Sequence, residues 1–121
     1  MSDSTTTVAV LKQLVNDFVD RRDWHRFHAP KNLAMSLAIE AAELMEHFQW
    51  ISGEESRRMA NDADRLAAVG EELADVCCYA LAMANELGLD LSTAIRNKVV
   101  KNELKYPVEE FRGRYGPDDK A

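Results

Sequence analysis

The chain has 121 residues, a length that suits one folded domain but hardly two. Hydrophobic residues make up 46% of it and charged residues 30%, a balance typical of a folded protein and not of a disordered one. The formal net charge of −6 argues against binding to a nucleic-acid backbone, because such binding needs clustered lysine and arginine. The chain has only 5 Gly and 3 Pro, which favours a few long helices over many short strands.

Targeting signals and cysteines indicate the compartment. The N-terminal segment MSDSTTT has no basic stretch followed by an apolar one, so we expect no signal peptide. The longest apolar stretch, residues 76–84, is too short to span a bilayer. Cys77 and Cys78 are adjacent and would point about 100° apart on a helix, so they cannot easily form a disulfide with each other. We expect reduced core thiols and a cytoplasmic protein.

The first predicted helix follows a cap at Ser4 or Thr5 and ends near Arg22. Its apolar residues recur at three- and four-residue spacing, the pattern of an amphipathic helix: Val8, Leu11, Val15 and Phe18. The connector that follows, residues 23–30, contains two aromatic residues, two histidines and a proline.

The second predicted helix begins at Pro30, a residue suited to a first helical turn, and ends at Gly53. A short helical turn follows over residues 54–60. The buried stripe of the second helix is predicted to contain Leu33, Leu37, Ala41, Leu44 and Phe48.

Two further helices complete the predicted architecture. Asn61 or Asp62 caps the third helix, which Gly88 ends, and Asp90 caps the fourth, which continues to about Leu104. The apolar face of the third helix is predicted to contain Val69, Leu73, Val76, Ala80, Met83 and Leu87.

Four main helices without an alternating strand pattern predict an all-α protein built as a four-helix bundle. Pro107 breaks the last helix, so we expect a single domain over residues 1–107. Residues 108–121 form a polar tail that we expect to be mobile.

Paired carboxylates are the most distinctive chemical feature. Glu40 and Glu43 lie three residues apart on the second helix, and Glu72 and Asp75 repeat the spacing on the third. Each pair therefore lies along one side of its helix. If the two helices pack antiparallel, all four carboxylates can meet between them.

Four neighbouring anions repel one another unless a cation is present, and hard oxygen ligands select Mg²⁺ or Mn²⁺. Acidic pairs at this spacing are also common on solvated helix faces, and Glu46 and Glu71 are further acids on the same helices. The spacing alone leaves both interpretations open. A di-iron bundle is disfavoured, because His47 follows Glu43 by four residues and not by the three that such sites use.

The motif Glu40-x-x-Glu43 followed by Glu72-x-x-Asp75, on an all-helical background, resembles the MazG-like nucleotide pyrophosphohydrolases. Within that family the dCTP pyrophosphatase type is the most similar. The resemblance covers roughly residues 11–107. It includes Arg22-Asp23-Trp24, Phe27-His28-x-Pro30, Phe48-Gln49-Trp50, Tyr79, Lys98, Asn102 and Tyr106-Pro107.

The resemblance implies that Mg²⁺, or alternatively Mn²⁺, is bound by Glu40, Glu43, Glu72 and Asp75. Within this set, Glu43 is our candidate catalytic residue, which would both bind the metal and orient the attacking water. The implied reaction is attack at the α-phosphorus with release of pyrophosphate.

For the nucleotide, the resemblance implies that Trp24 and Trp50 wall the base pocket, with His28 nearby. Three further residues match positions that hold the sugar and phosphates: Tyr79, Lys98 and Asn102. One departure concerns Val15, since eukaryotic dCTP enzymes of this family have a histidine there. Strict cytosine selectivity is therefore not implied, and the pocket is open to modified or other pyrimidines.

The expected function is Mg²⁺-dependent hydrolysis of a nucleoside triphosphate, dCTP or a modified pyrimidine dNTP, to monophosphate and pyrophosphate in nucleotide-pool sanitation. The family also implies a homo-oligomer, a dimer or a dimer of dimers with sites at subunit interfaces. We expect no nucleic-acid or membrane partner. The alternative is a non-catalytic helical binding or assembly module with a surface acidic cluster and with tryptophans as contact anchors.

Overall fold

The computed structural model of the protein describes residues 1–116, none of which lies in a strand. In chain order its α-helices are α1 (Val8–Arg21), α2 (Pro30–Glu46), α3 (Gly53–Arg58), α4 (Ala63–Leu87), α5 (Leu91–Lys105) and α6 (Val108–Phe111). Short 3-10 helices occupy His25–Phe27 and Met59–Asn61. Four of the α-helices have 14 or more residues, which confirms the all-α, four-helix prediction.

Side-chain caps fix where most helices begin. The Asp62 and Asp90 carboxylates accept backbone N–H bonds of 3.2 and 2.9 Å at the starts of α4 and α5, as predicted. The predicted cap of α1 at Ser4 or Thr5 is wrong, because Thr7 caps that helix. Thr5 instead exchanges hydrogen bonds with Ser2 in an N-terminal turn, so its hydroxyl is already used.

Helix α2 ends earlier than predicted, at Glu46 and not at Gly53. Beyond it, the amide of Phe48 donates to the carbonyl of Met45, three residues earlier, at 2.9 Å. An α-helical bond would reach four residues back, so the chain is wound more tightly here. The Ser52 hydroxyl then accepts from the Glu55 amide, which makes Gly53 the first residue of α3. Gly53, which was predicted to end the second helix, is therefore the first residue of the next one. Gly88 does end α4, in the left-handed conformation with φ of 61°.

Residues 1–89 form one compact unit in which α2 packs along α4 and α1 packs against α4. Polar contacts tie α1 to the end of α4: Asn85 donates to the Lys12 carbonyl at 3.0 Å, and the Lys12 ammonium donates to the Leu89 carbonyl at 2.9 Å. Few of the described residues are buried: Val19, Leu33, Met59, Leu81, Ala82 and Ala84.

Several residues of the predicted apolar helix faces are exposed in the chain taken alone. Phe18, Leu73 and Leu87 are each about half exposed, at 49%, 50% and 55%. Cys77 and Cys78 are free, as predicted, but they are exposed and are not core thiols. Helical periodicity identifies an apolar face, yet it does not distinguish a face turned to the core from one turned to a cavity or a partner.

Residues 90–121 form the second compact unit, whose described part contains α5 and α6. The rings of Tyr106 and Phe111 pack edge to face at 5.1 Å. Helix α6 lies in the segment predicted as a mobile tail, and residues 117–121 of that tail lie outside the described part. No helix among residues 1–116 is both long and apolar enough to cross a membrane.

Candidate metal centre and adjoining cavity

Three acidic side chains meet where α2 packs along α4. Glu40 and Glu43 come from α2 and Glu72 from α4, and one carboxylate oxygen of each lies within 4.8 Å of those of the other two. Asp75, the fourth predicted ligand, is not part of this group at that distance. Its charge nevertheless acts on both Glu40 and Glu72.

Mutual repulsion perturbs the acidic cluster formed by Glu40, Glu43 and Glu72. A side-chain hydrogen bond with Glu43 raises the pKa of Glu40, and burial and the neighbouring carboxylates raise it further. Burial is the largest cause that raises the pKa of Glu72, followed by the charge of Glu43, while His47 acts in the opposite direction. Both shifts have the direction expected when negative charges gather without a compensating cation.

Two carboxylate oxygens in the cluster have unsatisfied hydrogen-bonding capacity. Within residues 1–116, Oε2 of Glu40 and Oε2 of Glu72 are buried and have no hydrogen-bond partner. Buried polar atoms are normally paired, because desolvation without a partner costs free energy. A divalent cation would satisfy both oxygens, and an all-carboxylate donor set suits Mg²⁺ or Mn²⁺. The residues present therefore fit such an ion.

A cavity of about 570 Å³, within the range of small-molecule sites, lies in the same unit as the cluster. It lies between α1, the connector that follows α1, and α4. Asp75 lines it as well, so the cavity adjoins the acidic side of α4. Most of its wall is apolar or aromatic, and includes Val15, Phe18, Trp24, Cys78, Tyr79 and Ala82.

His28 contributes an unpaired polar atom to this wall. Its Nδ1 is buried and has no hydrogen-bond partner among the described residues. Its backbone amide donates to the His25 carbonyl at 3.0 Å, which fixes the chain at this point. An unpaired ring nitrogen in an apolar cavity is suited to hydrogen-bond a polar edge of a bound molecule.

The indole of Trp24 is held from several sides. The preceding residue, Asp23, has a positive φ of 53°, which turns the chain sharply, and the Trp24 amide donates to the Val19 carbonyl at 3.1 Å. The Trp24 ring packs edge to face on Phe18 at 5.8 Å. The Arg22 guanidinium lies 3.7 Å from the Phe18 ring centroid and 6.0 Å from that of Trp24. These contacts pre-organise one wall of the cavity.

The other predicted substrate residues lie in different places. Tyr79 lines the cavity together with Trp24 and His28. Trp50 lies in the turn after α2, is 87% exposed and is not among the lining residues. Lys98 and Asn102 lie one turn apart on α5, in the second unit, the first exposed and the second half-buried.

Helix α1 contributes more to the cavity than the sequence predicted, since only position 15 was expected near the base. Leu14, Phe18, Arg21 and Arg22 line the cavity along with Val15. The available signal was the four-residue spacing of Phe18 and Arg22, which places a cation over an aromatic ring on one helix face.

Comparison with known proteins identifies the family. A model of the MazG-like family matches residues 35–115. The chain belongs to the MazG-like family. This confirms the family predicted from the sequence. All four predicted acids fall inside the matched region, whereas α1 and the connector with Trp24 and His28 precede it.

Curated relatives of this MazG-like chain include dCTP pyrophosphatase 1 of Rattus norvegicus, 39% identical over 107 residues. The aligned part covers 88% of this chain and 63% of that protein. The Homo sapiens protein of the same name is 37% identical over 106 residues, which cover 88% of this chain and 62% of that protein. The chain thus spans less than two thirds of the length of these relatives.

A solved structure shares the fold. A pyrophosphatase from Archaeoglobus fulgidus DSM 4304 superposes with a TM-score of 0.74 at 36% sequence identity. The match covers 88% of this chain and 98% of the archaeal chain. The helical framework of the MazG-like chain is therefore that of a known pyrophosphatase.

Proposed function

We propose that this MazG-like protein is a nucleotide pyrophosphohydrolase that converts a nucleoside triphosphate to its monophosphate and pyrophosphate. The observation that carries the proposal is the acidic cluster, with its two unpaired buried oxygens, formed partly by the helix α4 that also lines, through Asp75, an aromatic cavity of nucleotide-compatible size. One feature suits a divalent cation with phosphates and the other suits a planar base. The relatives named dCTP pyrophosphatase support the same reaction.

Glu40, Glu43 and Glu72, with Asp75 close by, would hold Mg²⁺ or Mn²⁺. Such an ion supplies charge neutralisation for the triphosphate and for the leaving pyrophosphate. We assign Glu43 to orienting the water that attacks the α-phosphorus. The bond between that phosphorus and the α,β-bridging oxygen breaks, and pyrophosphate leaves with the bridging oxygen. Lys98 and Asn102 stay predictions for the sugar and phosphates.

The base would bind in the aromatic cavity, where Trp24 and Tyr79 offer ring faces and edges. Stacking tolerates many bases, so hydrogen bonds must select among them. We assign this selection to His28, which lines the cavity and whose Nδ1 has no hydrogen-bond partner among the described residues. Val15 lines the cavity with an apolar side chain where a histidine was expected in dCTP enzymes, and this supports dCTP together with 5-modified pyrimidine dNTPs as substrates.

We further propose that the protein works as a homo-oligomer, a dimer or a tetramer. Apolar residues on α2 and α4 are about half exposed in the single chain: Met35, Ile39, Leu66 and Leu73. Such a surface is more typical of a subunit interface than of a free monomer. Light scattering after size-exclusion chromatography measures the state directly. The cytoplasmic location stays a prediction.

The decisive experiment combines a substrate panel with isotope-labelled water. Purified protein, MgCl₂ and canonical or 5-substituted dNTPs are incubated in H₂¹⁸O, and the products are separated and weighed by mass spectrometry. Attack at the α-phosphorus places the ¹⁸O in the monophosphate and leaves the pyrophosphate unlabelled. Label in pyrophosphate, or formation of orthophosphate and a nucleoside diphosphate, would overturn the proposed reaction.

Matched variants separate catalysis from a purely structural role. Glu40→Gln should abolish turnover with helical content retained, whereas Glu54→Gln should not, because Glu54 is an exposed residue of α3 that forms an ion pair with Arg58 at 3.6 Å. Calorimetric titration with Mn²⁺ provides a second readout. Absence of turnover together with absence of saturable metal uptake would favour the alternative, a non-catalytic assembly module.

A further inference from the structure

A histidine outside the cavity joins three segments of the first unit. His25 lies in the 3-10 helix of the connector, and its Nδ1 is 2.6 Å from Oε1 of Glu86 on α4. Its Nε2 is 2.5 Å from Oδ1 of Asp20 on α1. We call these three residues, Asp20, His25 and Glu86, the histidine clasp. The clasp connects the end of α1, the connector and the last turns of α4, and its contact between His25 and Glu86 joins residues 61 apart in the sequence.

Only a protonated ring satisfies both contacts of the clasp. A neutral imidazole has one N–H donor, so its second nitrogen would turn a lone pair toward a carboxylate oxygen. The imidazolium donates from both nitrogens. The hydrogen bonds that the ring donates to Glu86 and then to Asp20, with the charges of these carboxylates, accordingly raise the pKa of His25 above its ordinary value of 6.5. These carboxylates are the groups that act on it from α4 and α1, and the neighbouring Arg26 lies over the Phe27 ring instead.

The backbone around His25 carries two residues of the cavity wall, Trp24 and His28. Trp24 directly precedes His25, and the Trp24 carbonyl accepts from the Phe27 amide at 2.9 Å. The His25 carbonyl accepts from the amide of His28, whose buried Nδ1 belongs to the cavity wall. Anchoring the His25 side chain to α1 and α4 therefore anchors Trp24 and His28 as well.

We propose that His25 is a positioning residue: as an imidazolium between Asp20 and Glu86, it holds the Trp24–His28 wall in place, and its deprotonation weakens nucleotide binding in alkaline solution. This inference rests on the proposed function, since it takes the cavity as the base site. It concerns KM and not the chemical step, because neither Asp20 nor His25 nor Glu86 lines the cavity or belongs to the acidic cluster.

The test uses a substitution that removes the titration and keeps the charge. His25→Arg stays cationic at all working pH values and can donate to both carboxylates. From about pH 6.5 to about pH 9, the ratio of wild-type KM to His25→Arg KM should rise about two- to fivefold, the range of an exposed ion pair. The kcat ratio should stay constant. A KM ratio that does not change with pH overturns the inference.

A second variant, which removes one carboxylate, tests the proposal even if arginine does not fit at position 25. In Glu86→Gln, His25 loses its principal partner, so KM should already be raised at neutral pH and should change less on further alkalinisation. Glu54→Gln is the matched control, because it removes an exposed acid from an ion pair far from the clasp in sequence and should follow the wild-type profile. Identical profiles for Glu86→Gln and wild type would contradict the proposal.

Fluorescence gives a readout that does not depend on turnover. In a Trp50→Phe background the emission reports Trp24 alone, and acrylamide quenching without metal measures its accessibility. Quenching should increase as pH rises, and should stay constant when His25→Arg is added. If no dNTP is hydrolysed at all, the proposed function fails, and this pH dependence alone then decides for or against the clasp.

Discussion

Glu40 and Glu72 lie on different helices, yet each contributes a buried Oε2 atom without a hydrogen-bond partner among the described residues. With Glu43 they form a cluster in which one carboxylate oxygen of each residue lies within 4.8 Å of those of the other two. Folding thus brings like charges together at a cost in stability. A fold that places repelling carboxylates in this way is suited to binding a cation, and the consequences can be measured.

The first prediction concerns the stability cost of the cluster. Glu40→Gln removes one negative charge and introduces an amide donor for the neighbouring carboxylates, so it should raise the melting temperature in EDTA. The same change should remove most of the stabilisation that Mg²⁺ gives the wild type. Thermal unfolding with and without Mg²⁺ measures both effects, with Glu54→Gln as control. A lower melting temperature for Glu40→Gln in EDTA would count against a repulsive cluster.

The second prediction concerns pH. The folded-state pKa of Glu40 and of Glu72 lies above the ordinary value of 4.5. The contribution of these two groups to the free energy of unfolding is therefore fully present below pH 4.5 and is lost as pH rises through the raised pKa. Without metal, the stability of wild type relative to Glu40→Gln should therefore fall as pH rises above the ordinary value of 4.5. Denaturant unfolding at each pH measures the difference. Saturating Mn²⁺ should abolish the trend, and a rise with pH in EDTA would show the opposite linkage.

The third prediction concerns the cation that braces the aromatic wall. Arg22→Met keeps the apolar stem but removes the guanidinium from the Phe18 and Trp24 rings. We expect KM to increase about two- to fivefold with kcat nearly unchanged, the effect of one exposed cation–π contact. Arg26→Met is the matched control, because it removes a guanidinium 4.7 Å from the ring of Phe27, a residue outside the cavity lining. Equal effects of the two substitutions would argue against a specific role for Arg22.

The fourth prediction concerns selectivity. Val15 is half-buried and lines the cavity from α1. Val15→His adds a polar group at the position where dCTP-selective relatives were expected to have one, so the preference for dCTP over other pyrimidine dNTPs should increase by about tenfold in kcat/KM. Competition between paired substrates in one reaction measures this ratio. An isosteric Val15→Thr control tests whether polarity alone suffices, and an unchanged preference in Val15→His would exclude this position as a determinant.

Local features of the fold were predictable because they depend on neighbouring residues. Asp62, Asp90 and Gly88 were correctly identified as helix ends, since a cap needs only a side chain and an amide three residues away, or a residue that tolerates positive φ. The errors at Thr7 and Gly53 have the same local origin, because adjacent serines, threonines and glycines compete for these roles.

The sequence by itself determined the helical class, most helix ends and the family, because these depend on the spacing of apolar residues, on capping residues and on short motifs. Only the tertiary structure decided which of the paired acids share a cluster, that the α1 face with Phe18 borders a cavity, and that His25 meets Glu86. Helical spacing specifies a side of one helix. It does not specify which helix packs against that side, because helix pairing depends on how the apolar surfaces of all the helices are buried together.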